Sequence, residues 1–217
     1  FLIRETSFKL NSSFFCDRRA PKLARTSPGH FLAIWRGFLA GQPANYEIWG
    51  QIFKNDGTKQ GLNFLINTTK AYHQYGTSVN TLSDGSFTVF WDSLHQDGSE
   101  WGVYGQLFGP DGSKVGKEFQ VNTSTAESQE LPVSKTLRGG KVITVWSDFR
   151  DSGETERDVY GQVWERSSGS MVRLGNEFVV NQNVSGLQLD PSIAVYKEGI
   201  FVVVFEEVLS GSTDKRV

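Results

Sequence analysis

Cysteine is nearly absent: Cys16 stands alone among 217 residues, so no disulfide can form within the chain. The reading that follows for Cys16 is burial as a small hydrophobe, with an intermolecular bridge as its alternative. An excess of either charge is also missing. The 22 Lys and Arg are balanced by 24 Asp and Glu, and the formal net charge is -2. A phosphate-binding partner needs a basic face, so nucleic acid is excluded, as is a polybasic membrane-surface role. No apolar run approaches the roughly 20 residues that span a bilayer, so no membrane insertion is expected. The three histidines, His30, His73 and His95, do not stand two or four residues apart, which argues against zinc. The acidic loops 96–100 and 148–158 lack an Asp-x-Asp-x-Asp-Gly order and read as solvated rather than calcium-binding. No metal and no other cofactor is expected. Helical spacing of apolar residues is missing too. The chain begins at Phe1 rather than at Met, as expected of a processed form or a fragment.

What is present is a repeat. A short strand ending in Asn recurs as Phe8-Lys9-Leu10-Asn11, Phe64-Leu65-Ile66-Asn67, Phe119-Gln120-Val121-Asn122 and Phe178-Val179-Val180-Asn181. An apolar strand ending in an aromatic recurs at Trp35, Trp91, Trp146 and Phe205, and both marks step by 56, 55 and 59 residues. A third mark, the Gly-Gln strand, appears at Gly50-Gln51, Gly105-Gln106 and Gly161-Gln162. Asp56-Gly57 and Asp111-Gly112 then supply hairpin turns, because Gly accepts positive φ cheaply. A weaker strand precedes each aromatic mark, around Leu23, Val79, Val133 and Ile193.

Four short strands per unit at this period predict an all-β chain of four four-stranded repeats, about sixteen strands, arranged like a β-propeller of four blades. The approximate units are 1–61, 62–116, 117–175 and 176–217, forming one repeat domain over 1–217. Strands such as Phe201-Val202-Val203-Val204-Phe205 are apolar on both faces and should be sandwiched between neighbouring sheets. Trp35, Trp91, Trp146 and Phe205 are accordingly expected to be buried and equivalent. A β-solenoid or two packed sheets meets the same strand count.

The pattern Val-Tyr-Gly-Gln-x-Phe, Asp-Gly, Glu-Phe-x-Val-Asn-Thr is carried by Val103 to Phe108, Asp111-Gly112 and Glu118 to Thr123. It resembles the tandem repeats of large secreted bacterial surface proteins, adhesin-like and hemolysin-type. That resemblance implies an extracellular or cell-surface, propeller-like repeat protein and supplies no activity. In an extracellular setting the four Asn-x-Ser/Thr sequons, at Asn11, Asn67, Asn122 and Asn183, are candidate glycosylation sites. Asn67 and Asn122 follow a strand and are expected to reach solvent.

Asp92, Asp148, Glu206 and Glu207 follow the aromatic strand. Such carboxylates converge at one mouth of a propeller and can act as a pair. Arg36 breaks the pattern in the first row, and turn chemistry is the reading preferred at this level. No catalytic machinery is expected, and the chain reads as a non-enzyme. Trp49, Trp101 and Tyr104 are candidate sugar-stacking aromatics, with packing between sheets as their competing role.

The ends are asymmetric. The fourth row stops where its Gly-Gln strand should begin, while Phe1, Leu2, Ile3, Arg4 and Glu5 form a surplus strand at the start. An unpaired edge seeks cover. Two coverings are open: these five residues close the chain's own ring, giving a monomer, or, as the preferred reading, they complete the fourth unit of the next molecule by strand addition. A head-to-tail contact of that kind builds a homopolymeric filament. The expected role is an extracellular structural or adhesive glycoprotein. The alternative is a carbohydrate-binding, lectin-like propeller with glycans as its partners.

Overall fold

A computed structural model describes residues 15–39, 45–150, 156–182, 185–196, 199–208 and 215–217. The candidate assembly strand Phe1, Leu2, Ile3, Arg4 and Glu5, the sequon residues Asn11 and Asn183, and the side chain of Cys16 lie outside the described residues. Among the described residues no helix is long and apolar enough to cross a membrane.

The chain is all-β. The first sheet holds β1 (Phe15–Ser27), β2 (His30–Leu39), β3 (Glu47–Lys54) and β4 (Lys59–Leu65). The second holds β5 (Gln74–Thr81), β6 (Phe87–Leu94), β7 (Trp101–Phe108) and β8 (Lys114–Gln120). The third holds β9 (Gln129–Thr136), β10 (Val142–Asp148), β11 (Asp158–Ser167) and β12 (Ser170–Val179). Every sheet is an antiparallel meander. The last unit, whose row stops short of a Gly-Gln strand, holds three strands among the described residues. It shows β13 (Leu187–Val195), β14 (Phe201–Val208) and a two-residue β15 (Lys215–Arg216). The repeat edges at 61/62, 116/117 and 175/176 fall inside β4, β8 and β12, because the strand ending in Asn is the last of its sheet.

Alternation explains how the sheets stack. Leu32 and Ile34 on β2 pack against Phe87, Val89 and Trp91 on β6. The other face of β6 offers Phe90 to Val142 and Trp146 on β10. Ile143 and Val145, from the remaining face of β10, meet Phe201, Val203 and Phe205 on β14. A period of two thus sends each strand's side chains into two successive interfaces. The pattern stops at the last sheet. Val202 and Val204 are 55% and 49% exposed, whereas Leu32, Ile34, Phe90, Ile143 and Val145 at the same phases are fully buried. Phe205 is half-buried, which corrects its expected equivalence with the three buried tryptophans. Among the described residues no further sheet lies over it.

Two polar staples hold each of the first three sheets. The Asn that ends the fourth-strand mark points inward. Asn67 Oδ1 accepts the Ile48 N–H at 2.9 Å, Asn122 the Val103 N–H at 2.8 Å, and Asn181 the Val159 N–H at 2.7 Å. Asn67 and Asn122 are 0% and 2% exposed. Their expected reach into solvent is therefore corrected: each amide fills a buried hydrogen-bonding role. The Gln of Gly-Gln is the second staple. Gln106 Nε2 donates to Leu107 O at 2.9 Å and to Val115 O at 3.0 Å, bridging β7 to β8 across a register shift. The Gly beside it makes room, since a Cβ at Gly105 would sit 2.7 Å from the Phe119 ring.

The first strands of the sheets pack side by side, β1 on β5, β5 on β9 and β9 on β13. Thr136 Oγ1 donates to Thr81 O at 2.9 Å, and Thr81 Oγ1 donates to Arg25 O at the same phase. The arrangement is propeller-like, with the four first strands facing one cavity.

Candidate functional site

Each first strand breaks its ladder at one shared phase of the repeat. Ala20, Gly76, Leu131 and Asp190 have φ of 52°, 44°, 57° and 48°, and each falls in a register shift with the second strand. A bulge frees backbone groups and re-aims side chains. Three of the four are not glycine, and left-handed backbone is strained for them. All four line a cavity of about 480 Å³ at one end of the first strands.

Asp92, from the end of β6, is the most confined carboxyl there. It is 4% exposed, and its Oδ1 accepts the Leu131 N–H released by the bulge, at 3.0 Å. Gly76 permits this placement, since a Cβ there would lie 2.1 Å from Asp92 Oδ2. Burial pushes the Asp92 carboxyl well above the usual carboxylate range, and the nearby charge of Glu130 pushes the same way. The Leu131 N–H and Arg36 pull less strongly in the other direction. Three carboxyl groups, those of Asp92, Glu130 and Asp190, thus line one cavity.

The opposite chemistry is aromatic. Tyr75 and Trp101 are stacked with ring centroids 5.1 Å apart and planes at 24°, and both line the cavity. His73 stacks on Tyr75 at 5.5 Å, and Tyr46 meets Tyr75 edge-on at 5.5 Å. The Arg36 guanidinium lies over Tyr75, 4.3 Å from the ring centre.

Of the residues singled out from sequence, this site gathers Asp92 and Trp101. Asp148 lies elsewhere, buried and paired with Arg150 at 2.5 Å while accepting the Trp146 indole N–H at 2.9 Å. Glu206 and Glu207 are half-buried on β14. Trp49 donates to Gly37 O at 3.1 Å within the first sheet, and Tyr104 is buried in the core. Tyr75, Glu130 and Asp190 were missed, and Arg36 was read only as a break in the pattern. A signal for the bulges was present in Pro21, Pro132 and Pro191, which follow three of them at the repeat phase. Proline restricts the residue before it and has no N–H for a ladder. Among the described residues no cluster of three or more His, Cys, Asp or Glu stands ready for a metal.

No family model matches the chain, and no curated protein does. Solved structures do. The chain is similar to an endo-arabinase from Bacteroides thetaiotaomicron, at 16% identity and TM-score 0.56, over 97% of this chain and 78% of that one. It is similar to a protein of unknown function from Dyadobacter fermentans, at 10% identity and TM-score 0.65, over 95% and 69%. A thermostable family-43 glycoside hydrolase shares 14% identity and a TM-score of 0.54, over 88% and 66%. At such identities the likeness is one of fold.

The expectation of a non-enzyme without catalytic machinery is corrected by these findings. The fold is one that a glycoside hydrolase uses, and it gathers the carboxyl groups of Asp92, Glu130 and Asp190 at a single cavity.

Proposed function

We propose that the chain is a carbohydrate-binding propeller of four blades, with the cavity at the bulged ends of the first strands as its glycan site. The observation that carries this reading is the stacked Tyr75–Trp101 pair set beside Asp92, Glu130 and Asp190 in one cavity. A sugar ring has apolar C–H faces and an equator of hydroxyls. Aromatic faces suit the first, and carboxyl oxygens accept hydrogen bonds from the second. The likeness in fold to an endo-arabinase and to a glycoside hydrolase supports a glycan as the ligand. Titration calorimetry against an oligosaccharide panel that includes arabinotetraose tests it. Saturable binding is expected, weakened about tenfold by Trp101→Ala with the melting temperature nearly unchanged. Absence of binding to every member contradicts it.

Asp92 and Glu130 favour a second reading, hydrolysis of a bound glycoside. A buried carboxyl whose affinity for its proton is raised, set beside a second carboxyl, is the arrangement that acid-assisted cleavage of a glycosidic bond uses. Asp92 would protonate the departing glycosidic oxygen, and Glu130 would activate the water that replaces it. Release of reducing ends by the native chain, lost in Asp92→Asn while binding persists, is the expected outcome. Unchanged release in Asp92→Asn removes Asp92 from that role.

A further inference from the structure

Arg36 sits at the phase occupied by Asp92, Ser147 and Glu206 in the other rows, so it places a cation where the other repeats place none. Its guanidinium is clasped by two rings, 4.3 Å from the centre of Tyr75 and 5.5 Å from that of Tyr46. Stacking fixes the plane of the group and leaves its N–H edge unused. The Nε is buried without a hydrogen-bond partner, and Arg36 forms no ion pair among the described residues. A buried charged donor left unmade is costly.

The same fold shows how such an arginine is completed. Arg150 lies 3.8 Å over the Tyr160 ring, and its edge is taken by Asp148 and Glu177, each at 2.5 Å. Arg173 lies 5.3 Å over Trp164 and donates to Gln120 O at 3.0 Å and Val121 O at 3.1 Å. Arg36 has the stacking and lacks the acceptor, and it faces the glycan cavity. Lys22 lines that cavity as a second cation. Asp92 feels the charge of Arg36 but gives it no hydrogen bond, and burial pushes its carboxyl towards the uncharged form. Glu130 and Asp190 also line the cavity and repel an incoming anion, which Arg36 and Lys22 attract.

We propose that this cavity selects acidic glycans, with the Arg36 guanidinium pairing with the carboxylate of a uronic acid residue. The proposal rests on the carbohydrate reading above and names the substrate class within it. A hydroxyl meets one N–H at a time, whereas a planar carboxylate meets two at once and neutralises the charge.

Titration calorimetry with tetragalacturonate, its fully methyl-esterified form and arabinotetraose decides the matter. The acid and ester differ only in the carboxylate. The acid is expected to bind about tenfold tighter than the ester, the amount one charge-assisted pair supplies. Arg36→Gln should bring acid and ester together, and Arg36→Lys should retain part of the difference. Should Arg36→Gln fail to fold, the wild-type comparison of acid with ester still decides. Equal or tighter binding of the ester overturns the proposal. Binding of arabinotetraose with no preference for the uronate overturns this inference and leaves the carbohydrate reading standing. Failure of every glycan overturns both.

Discussion

Asp92 concentrates the chemistry of the site, and its environment makes a signed prediction about pH. The folded chain holds its carboxyl protonated to higher pH than the unfolded chain does. Between the unfolded pKa and the raised folded one, the native state therefore binds more protons, and stability falls as pH rises. Asp92→Asn removes that slope while keeping an oxygen for the Leu131 N–H. We expect the variant to gain melting temperature relative to the native chain near pH 7 and to lose that gain near pH 3. A thermal melt series over this range reads it; a constant offset at all pH values would contradict it. Gly105 offers a steric test at the same scale. Its missing Cβ is what lets the Phe119 ring cross β7, so Gly105→Ala is expected to cost about 1–3 kcal/mol by overpacking, measured by denaturant unfolding. Asn122 offers a third. Expressed in a host that glycosylates sequons, the folded chain should yield an Asn122 peptide of unmodified mass. The sequon was legible and drew attention away from the burial, although the Asn recurs at Asn181 without a sequon. That recurrence was the sign of a structural duty.

At the scale of strands, the second strands of the first three sheets are largely buried and that of the last sheet is not. Trp91 is fully buried between the first two sheets and donates to Gln74 Oε1 at 2.9 Å. Trp91→Ala should cost about 3–5 kcal/mol. Phe205→Ala, at the same phase in the last sheet, should cost visibly less, because Phe205 is only half-buried. Chemical unfolding of both variants gives the ratio, and equal losses would contradict the packing described here. Strand existence and the two-faced apolar pattern were readable from spacing, since a period of two and a repeat of about 55 residues leave marks in one chain. The exposure of Val202 and Val204 was not readable, because their sequence matches strands that are covered. Only the presence of a following sheet distinguishes them.

At the scale of the molecule, the repeat builds the scaffold and its exceptions build the site. Gly-Gln, the closing Asn and the aromatic mark recur because each serves the same contact in successive sheets. Arg36, Tyr75, Glu130 and Asp190 do not recur, and they meet only because four first strands bend at one end of the stack. A row-by-row comparison of one sequence weights what repeats and passes over what differs, which is why the site escaped it. The six tryptophans provide the most direct measurement of the central claim. Trp101 lines the cavity, while Trp35, Trp91, Trp146 and Trp164 are buried and Trp49 lies away from it. An NMR titration that follows the six indole N–H resonances while a binding oligosaccharide is added reports where the glycan sits. The account predicts that the Trp101 resonance moves and saturates while the other five stay nearly fixed. Saturable binding that moves Trp49 and leaves Trp101 in place would contradict it.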